Sequence, residues 1–135
     1  MVLQLHTAIR DFRETRQKAA LREMMARLRG TQPPQLLQYE QVRSMLKGQV
    51  AARQTLQEIP LDAIIGSVNR YDDFTRDFLP RESVSEERWA RVEVATYQMA
   101  GLQPIDVYQI DQAYFVSDGN HRVSVARRLG ATHIH

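Results

Sequence analysis

Five consecutive residues near the C-terminus, Asp118-Gly119-Asn120-His121-Arg122, bring together a carboxylate, a glycine, an amide, an imidazole and a guanidinium. They stand between a β-prone apolar run and a helix-forming run, so the chain passes here from strand through turn to helix. Such a passage leaves the first N–H groups of the helix unpaired and puts the positive end of its dipole beside the turn. That is a setting for an anion. Gly119 permits a backbone conformation and a close approach that a Cβ would hinder. Arg122 can offer a bidentate guanidinium to a phosphate and His121 a second donor, while Asn120 can cap the helix or touch the ligand. Asp118 would repel a bare phosphate; it suits a metal ion, a hold on His121 or Arg122, or the role of base. On residue types alone, an ordinary Asp-Gly turn with a surface His and Arg is the rival account.

A second group precedes it. Arg70, Arg76 and Arg81 recur at six- and five-residue intervals in an irregular stretch that also holds Tyr71, Phe74 and Phe78. Converging arginines would neutralise a triphosphate, each through charge-assisted hydrogen bonds. Asp72, Asp73 and Asp77 alternate with them, so surface ion pairs of small energetic weight compete as an explanation. Ser67 and Asn69 are auxiliary ligand candidates, and the aromatic residues read as anchors of the loop. His133 and His135, with His6 or His121, make a poor case for a metal site, and none is expected.

These groups need elements to hold them. The uninterrupted run from Ala8 to Arg29 predicts a first helix, with Ile9, Phe12, Ala20, Leu21, Met24, Met25 and Leu28 as its apolar stripe. A shorter helix follows from about Gln38 to Lys47, burying Val42, Met45 and Leu46. Together they form a basic helical extension over residues 1–58, too poor in apolar surface to stand without packing on the rest or on a partner. From Ile59 the texture changes. Ile59 to Ile65 reads as a strand. Ser83 or Ser85 caps a helix through Trp89 to Met99, with Ser83-Val-Ser-Glu86 fitting the capping-box pattern, and Leu102–Ile110 with Ala113–Val116 reads as a hairpin. A helix from Asn120 to Leu129 ends at Gly130. Ala131–His135 opens a last strand where the sequence stops, as in a domain truncated at its C-terminus.

In order and spacing, residues 59–135 resemble the ParB/sulfiredoxin superfamily. The resemblance rests on Tyr114-Phe-Val-Ser-Asp-Gly-Asn-His-Arg-Val-Ser-Val-Ala-Arg-Arg-Leu-Gly130, on Gly101-Leu-Gln-Pro-Ile-Asp-Val107, and on Ile59-Pro-Leu-Asp-Ala-Ile64. It implies an α+β fold: a small mixed β-sheet of the ParB/sulfiredoxin type with packed helices, here preceded by the helical extension. It further implies a nucleotide triphosphate, CTP or ATP, with or without Mg2+, its phosphates on Gly119, Asn120, His121, Arg122, Arg81, Arg70 and Ser67. Leu79-Pro80-Arg81 is similar to the family's Pro-Arg element on the nucleotide. Asp118 is then the candidate catalytic residue. The sulfiredoxin reaction requires a cysteine where this chain has Asn120, and the sequence contains none. ParB proteins have Arg-Arg where His121-Arg122 stands here, and no helix-turn-helix module follows.

Bulk properties frame these expectations. The chain has 135 residues, 43% hydrophobic and 25% charged, which describes a globular protein. Lack of cysteine excludes disulfides, thiolate zinc sites and cysteine chemistry. No apolar run approaches the roughly 20 residues that span a bilayer, and no signal peptide is visible, so a cytoplasmic protein without a membrane partner is expected. The net charge of +2 is uneven: ten Lys/Arg against five Asp/Glu in residues 1–58, eight against eleven in residues 59–135. A basic first helix suits DNA phosphates or an amphipathic arm for a homodimer. Three readings of function remain: a nucleotide-binding ParB-like regulator associated with DNA or a partner, a nucleotide-dependent small-molecule kinase or hydrolase, and a non-catalytic interaction module.

Overall fold

The structure, a computed structural model, describes residues 2–30, 35–46, 55–98 and 103–135. Met99, the expected end of the third helix, Leu102, the expected start of the hairpin, and Lys47, the expected end of the second helix, lie outside them, as does Gly101.

Helix α1 spans Val2–Leu28 and is followed by a two-residue strand β1, Leu37–Gln38, and helix α2, Tyr39–Leu46. Next come β2 (Ile59–Pro60), a 3-10 turn (Leu61–Ala63) and β3 (Ile64–Ser67). Helix α3 covers Glu86–Gln98, β4 Asp106–Ile110, β5 Ala113–Asp118, α4 Asn120–Arg128 and β6 His133–Ile134. The main sheet has the order β1-β3-β5-β4, parallel in its first two pairings and antiparallel in the last. Strands β2 and β6 form a separate antiparallel pair. The class is therefore mixed α+β with a helical N-terminal segment.

The expected strand from Ile59 to Ile65 is broken. Pro60 carries no N–H, and Leu61 donates its own to the Thr132 carbonyl at 2.9 Å, so the chain turns and drives the Leu61 side chain into the core. One half of the stretch serves the small sheet and the other the large one. At Gly66, a Cβ would overlap the Phe115 ring and the Leu37 carbonyl oxygen; glycine lets β1 and β5 close on β3 from both sides. Strands therefore enter one sheet from both sides of residue 58.

Helix α1 buries a different face from the expected one. Ala8, Phe12, Thr15, Ala19 and Ala26 are buried, whereas Leu21, Met24, Met25 and Leu28 are exposed, Leu28 to 82%. The buried positions recur at three, four and seven residues, one stripe of a 3.6-residue helix, and their small side chains allow close packing against α3. Phe12 meets Trp89 with ring centroids 5.6 Å apart. Arg13 reaches Glu86 at 2.8 Å, and Arg128 on α4 reaches Asp11 at 3.1 Å. In α2, Val42 is only half-buried.

The cap of α3 is Ser85, whose Oγ accepts the Arg88 N–H at 3.3 Å; Ser83 instead donates to Asp73 at 2.6 Å. Of the two serines that could cap this helix, Ser85 is the one that does, and the Ser83–Glu86 capping box does not form. The hairpin forms as expected, with β4 beginning at Asp106 and β5 running on to Asp118. The intervening loop is anchored by Phe74 and Phe78, both fully buried, with Phe78 at a φ of 60° and the Leu79 N–H on Thr75 Oγ1. Among the described residues, no helix is long and apolar enough to cross a membrane.

Candidate functional site

The parallel interior strands β3 and β5 both have their carboxyl ends, at Ser67 and Asp118, on the side of the sheet where α4 begins. Crevices outside the carboxyl ends of parallel strands are where open α/β sheets take ligands. Gly119 is the hinge: it adopts a φ of 109° at the N-cap of α4, and a Cβ there would collide with Ile105. No side chain caps this helix end. Its first amides meet no capping side-chain acceptor, and the first turn itself carries no Asp or Glu.

Two of the candidate ligands turn inward. Ser67 Oγ donates to Asn120 Oδ1 at 2.8 Å and accepts the Arg70 N–H at 3.0 Å, and both side chains are buried. They are out of a ligand's reach in this conformation. Their work is to tie the end of β3 to the start of α4 and to fix where the Arg70 loop departs.

His121 is also buried and stands edge-on to Phe74, centroids 5.4 Å apart. Burial lowers its pKa to about 4, helped by the positive charges of Arg88 and Arg70 and opposed by Asp73. His121 is thus a neutral imidazole at pH 7 and offers no cation to a phosphate. Arg88, on the first turns of α3, went unnoticed in the sequence because it sits among the Glu and Arg residues of an ordinary solvated helix face. It has no ion-pair partner among the described residues, and its field reaches the site.

The remaining arginines are engaged by the protein. Arg122 bonds Asp118 at 3.0 Å, the Pro104 carbonyl at 3.3 Å and the Gln103 carbonyl, so it clamps the stretch leading into β4. Its side chain is 18% exposed and that of Asp118 72%. Arg81 bonds Glu23 at 2.9 Å and the Asp72 carbonyl at 3.1 Å, which braces the loop on α1 rather than on the turn. Arg70 pairs with Asp73 at 3.1 Å, and Arg76 reaches the Ile65 carbonyl at 3.5 Å. Asn69 is exposed.

The arrangement combines an uncapped helix start, a glycine hinge, Arg70 and Arg88 acting from the flanking loop and helix, and Arg122 held in reserve by an exposed acid. It can attract and seat an anion. Among the described residues, no group of three or more His, Cys, Asp or Glu side chains is placed to hold a metal ion. Magnesium commonly binds through one or two carboxylates together with substrate phosphates, and Asp118 is the acid at the turn that could take part in this way.

Comparison with known proteins leaves the site to be read from its own geometry: no family model, curated protein or solved structure matches this chain.

Proposed function

We propose that the chain binds a nucleoside triphosphate, CTP or ATP, with its phosphates at the start of α4, as a domain of the ParB type acting in regulation with DNA or a protein partner. The observation that carries this reading is the Gly119 turn, where β5 delivers an uncapped helix start at the carboxyl end of the parallel strands, within the field of Arg70 and Arg88. Anions gain from such a helix terminus through both free amides and dipole. The likeness of residues 114–130 to the ParB/sulfiredoxin motif supports phosphate as the anion.

In this reading the roles differ from residue to residue. The amides of Gly119 to Arg122 seat a phosphate, and Arg70 and Arg88 supply charge. Arg122 joins by leaving Asp118 and the Gln103 and Pro104 carbonyls. Ser67, Asn120 and His121 keep the turn in shape from beneath. Arg10, Lys18 and Arg27 on α1 and Arg29 in the turn after it are exposed and free to meet DNA phosphates, while Arg13 and Arg22 are held by Glu86 and Asp77.

Calorimetric titration with CTP, ATP and GTP, with and without magnesium, tests the reading. Selective binding that shifts the backbone amides of Gly119–Arg122 is expected. Absence of affinity for every triphosphate in the presence of magnesium overturns it.

A further inference from the structure

Glu93, in the middle of α3, is a carboxylic acid sealed from solvent, and neither of its carboxyl oxygens has a hydrogen-bonding partner among the described residues. It lies where α1 packs on α3. Phe12 meets Trp89 and Arg13 meets Glu86, one and two turns back along α3, and the Asp11 carboxyl stands beside Glu93 itself. The charges that face it come from both neighbouring helices. From α4 comes Arg128, already held by Asp11 at 3.1 Å and by Glu14 at 3.3 Å, both on α1. Arg127 is turned away, to the Leu61 carbonyl at 3.0 Å and Asp62 at 3.5 Å. One guanidinium thus meets three acids, and it bonds Asp11 and Glu14 rather than Glu93.

A buried carboxylate without a partner is costly, so such a group keeps its proton instead. Burial and the Asp11 carboxyl raise Glu93 to about 8, and Arg128 opposes them. Asp11 keeps its charge, balanced by Arg128, and the two neighbouring carboxyls hold one proton between them. The rest of the hold on α1 is slight. Among its described residues Phe12 is the one large buried side chain; the others are Ala8, Thr15, Ala19 and Ala26. Its ion pairs to Glu86, Asp77 and Arg81 lie at or near the surface, where such pairs contribute little. A single proton therefore weighs heavily in whether this helix stays.

We propose that α1 is a proton-controlled arm: with Glu93 protonated it stays docked on α3, and with Glu93 ionised it opens as a unit while the sheet, α3 and α4 stay folded. The direction follows from linkage. Opening exposes Glu93 to water and returns it to its ordinary 4.5, so the opened protein releases a proton that the docked protein holds. Docking is therefore fully present below pH 4.5 and weakens about tenfold per pH unit up to 8. Opening uncovers the Phe12–Trp89 contact and frees a helix that carries Arg10, Lys18 and Arg27. His121, packed on Phe74, keeps its burial when the arm opens and loses it only when the whole protein unfolds. The inference is independent of nucleotide binding at the turn.

Amide hydrogen exchange of the whole chain, corrected for the intrinsic rate at each pH, separates opening of the arm from unfolding of the whole. Between pH 5 and 6.5 the protection of the amides of residues 12–19 should fall about twentyfold. Protection in β5 and α4 should change little over the same range. Those amides exchange by global unfolding, in which the growing contribution of His121 offsets the loss at Glu93. In Glu93→Gln, which cannot ionise, the fall at residues 12–19 should vanish. Asp11→Asn removes the neighbouring charge and offers Glu93 a donor, so it should shrink the fall, and it decides the matter if the glutamine variant does not fold. Protection of α1 that is level with pH, that falls in step with β5 and α4, or that falls as steeply in the variants overturns the proposal.

Discussion

Asp118 and Arg122 form an ion pair of 3.0 Å across the first turn of α4, with the cation largely buried and the acid largely exposed. The same guanidinium holds the Gln103 and Pro104 carbonyls. Asp118 thus competes with any anion that approaches the turn for the guanidinium best placed to receive it.

Asp118→Asn removes the competing charge while keeping the size of the side chain. Exposed ion pairs are worth about 0.2–1 kcal/mol, so affinity for a triphosphate should rise by a factor of roughly 1.4 to 5. Titration calorimetry of the two proteins measures this. If the protein turns over nucleotide and the variant binds it but no longer does so, Asp118 belongs to the chemistry and the kinase or hydrolase reading gains.

Gly119→Ala meets two obstacles at once. The residue must keep a φ of 109°, and its new methyl group must displace Ile105, which is buried. Strained backbone and overpacking each cost roughly 1–3 kcal/mol. Urea denaturation should therefore show a loss of about 2–6 kcal/mol. A loss below 0.5 kcal/mol would mean that the turn is not built as described.

Two buried groups give stability an opposed dependence on pH. Burial, reinforced by the neighbouring Asp11 carboxyl and resisted by Arg128, raises Glu93 from its ordinary 4.5 to about 8. Folded protein therefore holds a proton there that unfolded protein releases, and stability falls as pH rises from 4.5 to 8. His121 is lowered from 6.5 to about 4, so its contribution is present above 6.5 and lost as pH falls towards 4. These slopes, about 1.4 kcal/mol per pH unit each, cancel between pH 4.5 and 6.5 and leave the decline due to Glu93 above it. Glu93→Gln should abolish that decline, so its advantage over the parent grows from pH 6.5 to 8 in denaturant titrations. A difference between the two proteins that does not change with pH would show that Glu93 is ionised throughout.

How much of this was legible in advance depends on how far apart the interacting residues lie. The β4–β5 hairpin, the Gly119 turn and α4 were readable because each is specified within a few residues. Asp111-Gln112 reverses the chain, Gly119 takes its positive φ, and Gly130, at a φ of 82°, closes the helix. The strand-turn-helix setting of residues 118–122, the absence of cysteine and the uneven charge likewise needed nothing beyond local order and composition.

Tertiary structure decided the rest, because the deciding partner was distant. Apolar residues lie on more than one side of α1, and only docking on α3 selects the face with Ala8, Phe12, Thr15, Ala19 and Ala26. Ser67 and Asn120 meet across 53 residues and become a structural tie, and Arg81 finds Glu23 across 58 and becomes a brace. Residue type marked them as able to hydrogen-bond a phosphate. Which partner each one reaches was determined by the sheet order β1-β3-β5-β4 and by the helices laid over it, and burial then removed the charge that His121 might have carried.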